Sequence, residues 1–200
     1  MKREEKNQRT REKILESAGR EFAEHGFSGA SMNEIVKRGG ISKGIIYHYF
    51  PSKENLYLAC VRQCFQRLTG YLEEKQQSGS GNLLTRYFDA RMQYFLTHPV
   101  DAQLFSGAVL DPPAELSGQI REETRSFRAF NRSVLTEMLN EDDLRPELSK
   151  DEILTVFEIF QNVLNSGWRD ASSDPEAVEK HEAACRSALD IFLYGILRRN

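Results

Sequence analysis

A chain of 200 residues with 40% hydrophobic and 28% charged side chains is composed like a soluble globular protein and can bury one sizeable core or two small ones. No apolar run approaches the roughly 20 residues that span a bilayer. The charged start Met1-Lys2-Arg3-Glu4-Glu5-Lys6 leads into no apolar stretch, so no membrane helix or secretory leader is expected and a cytoplasmic location follows. The net charge of −3 is unevenly placed: residues 1–55 carry 11 Lys and Arg against 8 Asp and Glu, and the other 145 carry 16 against 22.

Residues 1–9 are charged and are expected to lack order of their own. From Thr10 to His25, Ile14, Leu15, Ala18, Phe22 and Ala23 recur at helical spacing, and Gly26 ends the helix. Phe27 follows in the loop, placed to fill a junction between helices. Ser31-Met32-Asn33-Glu34 is a serine followed three residues later by a glutamate, which reads as a capping box opening a second helix. That helix runs through Ile35 and Val36 to Gly39-Gly40, where glycine can take the left-handed conformation that closes a helix. Only Ile41 separates this stop from Ser42, the predicted N-cap of a third short helix, Lys43-Gly44-Ile45-Ile46-Tyr47-His48-Tyr49-Phe50. Ile46 and Phe50 lie four apart and share an apolar face. Lys43, Gly44 and Tyr47 fall on another. Two short helices joined by a tight glycine turn form a helix-turn-helix, whose second helix enters the major groove of duplex DNA.

At this point the chain resembles a known family. Phe22, Gly26-Phe27, Ser31, Ile35, Gly40-Ile41-Ser42-Lys43-Gly44, Ile46-Tyr47, Tyr49-Phe50, Ser52-Lys53-Glu54 and Leu56 match the N-terminal DNA-binding domain of TetR-type transcriptional regulators over about residues 9–58. Gly39 stands where that family often has alanine, Pro51 follows the aromatic pair where a basic or polar residue is common, and His48 fills a variable position. The resemblance implies that Ser31 lies near a DNA phosphate, at a helix N-terminus that attracts anions, and that Lys53 contacts phosphate. The candidate DNA-binding set is Ser31, Asn33, Ser42, Lys43, Gly44, Ile45, Tyr47, His48, Tyr49 and Lys53.

A fourth helix is expected from Lys53 to Gln77, with Leu56, Ala59, Cys60, Cys64 or Phe65, Leu68, Tyr71 and Leu72 inward, until Ser78-Gly79-Ser80-Gly81 breaks it. About 25 residues at about 1.5 Å each span nearly 40 Å, so this helix links an N-terminal domain, 1–52, to the rest, 53–200. Further helices are predicted at about 82–98, 101–109, 115–139, 151–168 and 175–199. No run of alternating residues long enough for a strand appears. The fold class is therefore all-α, about nine helices, with a three-helix helix-turn-helix domain ahead of a larger helical ligand-binding and dimerisation domain.

The last two helices carry apolar arcs too wide for a single buried stripe, so each must be covered on more than one side. In TetR-like proteins these helices pair with a second subunit as a four-helix bundle. The expected contacts are Phe160, Leu164, Ala184, Ala188, Phe192 and Gly195, the small residues allowing close approach. Two linked recognition helices require a nearly palindromic operator.

Polar residues interrupt the inward faces: Arg91, Asn131, Gln161 and Asn165. They read either as groups that fix a ligand in an aromatic pocket or as satisfied internal hydrogen bonds. The candidate lining is Tyr87, Phe88, Arg91, Met92, Phe95, Phe105, Phe127, Phe130, Asn131, Phe157, Gln161 and Trp168, with Arg91 favouring an anionic group. Cys60, Cys64 and Cys185 lack metal-site spacing, and Cys60 and Cys64, four apart on one helix face, read as small buried hydrophobes or as a redox or metal sensor. His25, His48, His98 and His181 are scattered, and no metalloprotease, nucleophile-elbow or phosphate-loop pattern occurs, so no enzyme, metal or cofactor is expected. The function implied is a homodimeric repressor released from operator DNA by a small apolar or aromatic effector, the alternative being control by a protein partner or by cysteine oxidation.

Overall fold

The computed structural model describes residues 2–78, 83–139, 144–166 and 175–196, with 2, 3, 78, 84, 161–166 and 175 described as backbone only. Its helices are α1 (Lys2–Gly29), α2 (Met32–Gly39), α3 (Lys43–Tyr49), α4 (Lys53–Ser78), α5 (Leu83–Thr97), α6 (Pro99–Leu110), a 3-10 turn (Ala114–Leu116), α7 (Ser117–Glu123), α8 (Arg125–Met138), α9 (Lys150–Ser166) and α10 (Pro175–Ile196). The all-α expectation holds, with ten α-helices among the described residues against about nine foreseen. The chain divides into two compact units, one of residues 1–65 with 100–124 and one of 66–99 with 125–200.

In the first unit, α1 begins earlier than its apolar spacing suggests, at Lys2, and is kinked at Gly26, whose φ of 65° is open to glycine and strained for other residues. Ile14, Leu15, Ala18 and Phe22 of α1 are buried with Ile35, Ile46, Phe50, Leu56 and Cys60. Phe22, Phe27 and Tyr57 form a ring cluster with centroids 5.0 to 6.5 Å apart, so Phe27 does fill a helix junction. Gly39 has a steric reason here. A Cβ at that position would lie 2.8 Å from Ser17 Oγ, so its absence lets α2 close on α1. Cys64 is fully buried, its thiol directed at the Asp101 carbonyl at 3.3 Å.

In the second unit, α5 lies along α10, and α8 packs on both α5 and α9. Its core takes in Leu68, Leu72, Tyr87, Phe88, Tyr94, Phe95, Phe127, Leu135, Ile153, Phe157, Cys185 and Leu189. The helix expected over 115–139 is interrupted at Thr124, which has a non-helical φ of −94° and ψ of 3°. Its hydroxyl donates to the carbonyl of Ile120 at 2.9 Å, so the side chain engages the last turn of α7 before α8 begins. Among the described residues no helix is long and apolar enough to cross a membrane.

Candidate nucleic-acid interface and ligand site

The α2–α3 pair is set by its caps. Gly40 takes the left-handed conformation (φ 56°), and its N–H and that of Ile41 return to the carbonyls of Lys37 and Val36. Ser42 accepts from the N–H of Ile45 at 3.4 Å, as an N-cap should. The predicted capping box at Ser31 does not form. The Ser31 side chain makes no cap hydrogen bond, and Glu34 pairs instead with Lys37 at 3.5 Å. The reason is a competitor from α1: the buried carboxylate of Glu21 takes the Ser31 N–H at 2.9 Å. Arg38 then grips Glu24 through two nitrogens, each at 2.7 Å, and approaches Glu21 at 3.5 Å. The hydrogen bonds from Arg38 hold the Glu24 carboxyl below its ordinary range. Glu21, Glu24 and His25 bring three possible ligand atoms together, but these carboxylates already clamp α1 to α2.

With α2 fixed, α3 presents one face inward and one outward. Ile46 is wholly buried and Phe50 nearly so, with the Arg11 guanidinium over the Phe50 ring at 5.3 Å. Lys43, Gly44, Ile45, Tyr47 and His48 are exposed, and a Cβ at Gly44 would meet nothing. Ile45 at 44% and Tyr47 at 39% exposure put a large apolar group and a ring on this outward face. Lys43 Nζ reaches Asn33 Oδ1 at 3.4 Å, which joins two candidate contacts across the turn. Tyr49 is half-buried and donates from its hydroxyl to Asn7 Oδ1 at 3.2 Å, so its ring is shared with α1. Lys53, in the first turn of α4, sits over the Phe27 ring at 4.9 Å and donates to the Ser28 carbonyl at 3.4 Å. All ten residues lie at exposed or half-exposed positions around α2, α3 and the start of α4, Tyr49 being the one whose hydroxyl bonds back to α1.

In the second unit, Tyr87, Phe88, Arg91, Phe95, Phe127, Asn131 and Phe157 are buried, while Met92 and Phe130 are half-buried. Tyr87 donates to Asn131 Oδ1 at 2.8 Å and stacks near Phe130 at 6.4 Å. Phe105 belongs to the first unit, against Phe65 with centroids 5.2 Å apart. The side chains of Gln161, Leu164 and Asn165 and all of Trp168 lie outside the described residues. A crevice is lined by Tyr87, Asn131, Val134, Leu135, Met138, Phe157 and Leu189, with enclosed room for about one water molecule. Val134, Leu135, Met138 and Leu189 were absent from the sequence-derived lining, although the first three sit on the same apolar stripe of α8 as Asn131.

One charged residue escaped the sequence reading. Glu182 of α10 is 1% exposed, with its Oε1 3.1 Å from Nε of the equally buried Arg91. The signal was present: Val178, Glu182, Cys185 and Leu189 follow the inward stripe of α10, and all four are buried. Its outward stripe leaves Ile191 and Tyr194 in water at 71% and 66% exposure, and α9 leaves Val156 and Ile159 likewise at 51% and 62%. Ala184 and Gly195 are exposed and Ala188 half-exposed on α10, whereas Phe160 stacks on Phe192 within the chain at 5.1 Å.

Comparison with known proteins then bears on this geometry. A family model described as "Bacterial regulatory proteins, tetR family" matches residues 14–60, and one described as "Tetracyclin repressor-like, C-terminal domain" matches residues 80–199. The chain belongs to the TetR family. Among its relatives, the HTH-type transcriptional repressor AcnR of Corynebacterium glutamicum is 43% identical over 65 residues, 32% of this chain. The chain spans only 35% of AcnR's length. The negative transcriptional regulator IcaR of the biofilm operon icaADBC in Staphylococcus aureus is 25% identical over 197 residues, covering 92% of this chain and 98% of IcaR. The regulator FadR of Bacillus subtilis, solved in complex with stearoyl-CoA, has the same fold. Its TM-score is 0.69 at 19% identity, covering 92% of this chain and 98% of that one.

Within this TetR-family chain, Lys53→Ala is expected to weaken DNA binding by a similar factor on every sequence. It should also lower the slope of log affinity against log salt by about one for each copy bound, as expected if Lys53 contacts one phosphate. Anisotropy titrations across a salt series check it.

Proposed function

We propose that this chain is a homodimeric transcriptional repressor that binds a nearly palindromic operator through α2 and α3 and leaves it when a small ligand enters the second unit. The observation that carries the reading is the division of α3. Ile46 and Phe50 hold it in the core while Lys43, Ile45, Tyr47 and His48 face water on one surface. The repressors AcnR and IcaR support the sign of regulation. The stearoyl-CoA complex of FadR supports a ligand with a large apolar part.

For the ligand to act, it must bind the form that cannot hold DNA more tightly than the form that can, by about 1.4 kcal/mol for each tenfold loss of operator affinity. The proposed carrier is α4, whose residues 53–65 belong to the first unit and 66–78 to the second. A change in the packing of Leu68 and Leu72 would reach Lys53 along one helix. Control by cysteine oxidation finds little support, since all three cysteines are buried and none is in a disulfide. Burial pushes Cys185 up to about 11, so it stays protonated and unreactive. The test is a thermal-shift screen followed by operator titration. A compound that raises the melting temperature is expected to weaken operator binding at least tenfold. Stabilising compounds that all leave operator affinity unchanged would refute induction by a small ligand.

A further inference from the structure

The Arg91–Glu182 pair is poorly matched for a buried ion pair, and this inference, which rests on the ligand-responsive reading, follows from that mismatch. The two groups approach to 3.1 Å, yet among the described residues neither Glu182 oxygen receives a hydrogen bond. A buried carboxylate normally accepts several, and a guanidinium fork can supply two at once. Withdrawing both charges from water offsets much of their attraction, so the pair adds little to the stability of the fold. Tyr87 stands one turn before Arg91 on α5, and its hydroxyl interacts with both Arg91 and Asn131. Tyr87 and Asn131 also line the crevice, whose other walls are apolar. Polar groups thus run from an apolar crevice to a buried cation facing a carboxylate that is a weak fit.

We propose that the second unit takes an organic acid with an apolar body. Its carboxylate replaces Glu182 on Arg91, its body widens the crevice between Phe157 and Leu189, and Glu182 takes up a proton from solvent. One anion and one proton enter, no covalent bond changes, and the net charge of the buried site is unchanged.

The surrounding groups make Glu182 the one that titrates. Burial pushes its carboxyl up to about 7, against the pull of Arg91 and Arg186, so losing Arg91 to a ligand raises it further. Facing it from α5 are Tyr87 and Arg91; its own helix supplies His181, Cys185 and Arg186, the last paired with the exposed Asp89 of α5. Burial raises Tyr87 and Cys185, and burial together with Arg91 lowers His181 to about 4, so these three stay neutral near pH 7. The bound state holds Glu182 protonated, so affinity is level below its folded value. Above it, affinity falls about tenfold per pH unit.

Isothermal titration of the full chain with octanoate and 2-naphthoate, and with their neutral counterparts 1-octanol and 2-naphthamide, tests this. Run in phosphate and in Tris, it counts protons as well as affinity. At least one acid is expected to bind at least tenfold more tightly than its counterpart, taking up about half a proton at pH 7 and close to one at pH 8. Glu182→Gln should bind that acid about tenfold more tightly at pH 8 and take up none. The double variant Arg91→Met/Glu182→Gln, which removes both charges of the pair, should lose the preference for the acid. A neutral compound that binds as well as its acid, without proton uptake, overturns the acid head and leaves the small-ligand reading standing. An acid preference kept by the double variant removes Arg91 as its anchor. Binding of neither class overturns the inference, and operator release by unrelated compounds then decides the reading beneath it.

Discussion

Ile159→Glu combined with Ile191→Glu is expected to yield a monomer at micromolar concentration and to cost operator affinity by roughly a hundredfold or more. The two isoleucines are 62% and 71% exposed in the single chain and lie near Val156 and Tyr194 on the outer sides of α9 and α10. Burying an isoleucine contributes about 1.5–3 kcal/mol, so four of them across a two-fold interface contribute roughly 6–12 kcal/mol. A micromolar to nanomolar dimer is held by about 8 to 12 kcal/mol in all, so losing this share dissociates it even before the cost of burying four carboxylates. The substituted side chains face water in the monomer, so helix content should not change. Sedimentation equilibrium gives the mass and anisotropy the affinity. A variant that remains dimeric would move the interface elsewhere.

Lys43→Ala/Tyr47→Ala is the second large effect. Good base-edge contacts are worth about 1–3 kcal/mol each, so the pair should cost roughly 2–6 kcal/mol in each half-site, about thirtyfold at the least. Stability should change little, because Tyr47 is 39% exposed and Lys43 has only the 3.4 Å contact with Asn33. Ile46→Ala makes the contrast. Its side chain is fully buried, so truncation should cost about 2–5 kcal/mol of folding free energy and abolish binding by loosening α3 itself. Thermal melts beside operator titrations separate the two causes.

The helix-turn-helix was legible because its signals are local. Gly40 needs its left-handed backbone, Ser42 caps the next N-terminus, and Ile46 with Phe50 marks one face. What escaped the sequence is set by partners distant in the chain. Ser31 and Glu34 fit a capping box, but Glu21, ten residues earlier, takes the Ser31 N–H first. Gly39 departs from the family habit because Ser17 occupies the space a methyl would need. In the ligand region the aromatic stripe marked burial correctly, but burial alone could not say that Phe105 packs in the first unit with Phe65. Arg91 stood out as a cation among rings. Its partner Glu182 was hidden because a single glutamate on a long, mixed helix looks like a solvated one until its stripe is traced through Val178 and Leu189.

Selection from a random duplex pool by the purified chain tests sequence-specific DNA recognition by α3. Enrichment of one inverted repeat is expected, with half-site centres about 34–36 Å apart or a multiple of that, bound by two copies and not enriched by Lys43→Ala/Tyr47→Ala. Equal enrichment by the folded double variant, or no sequence preference in the wild-type chain, would contradict it.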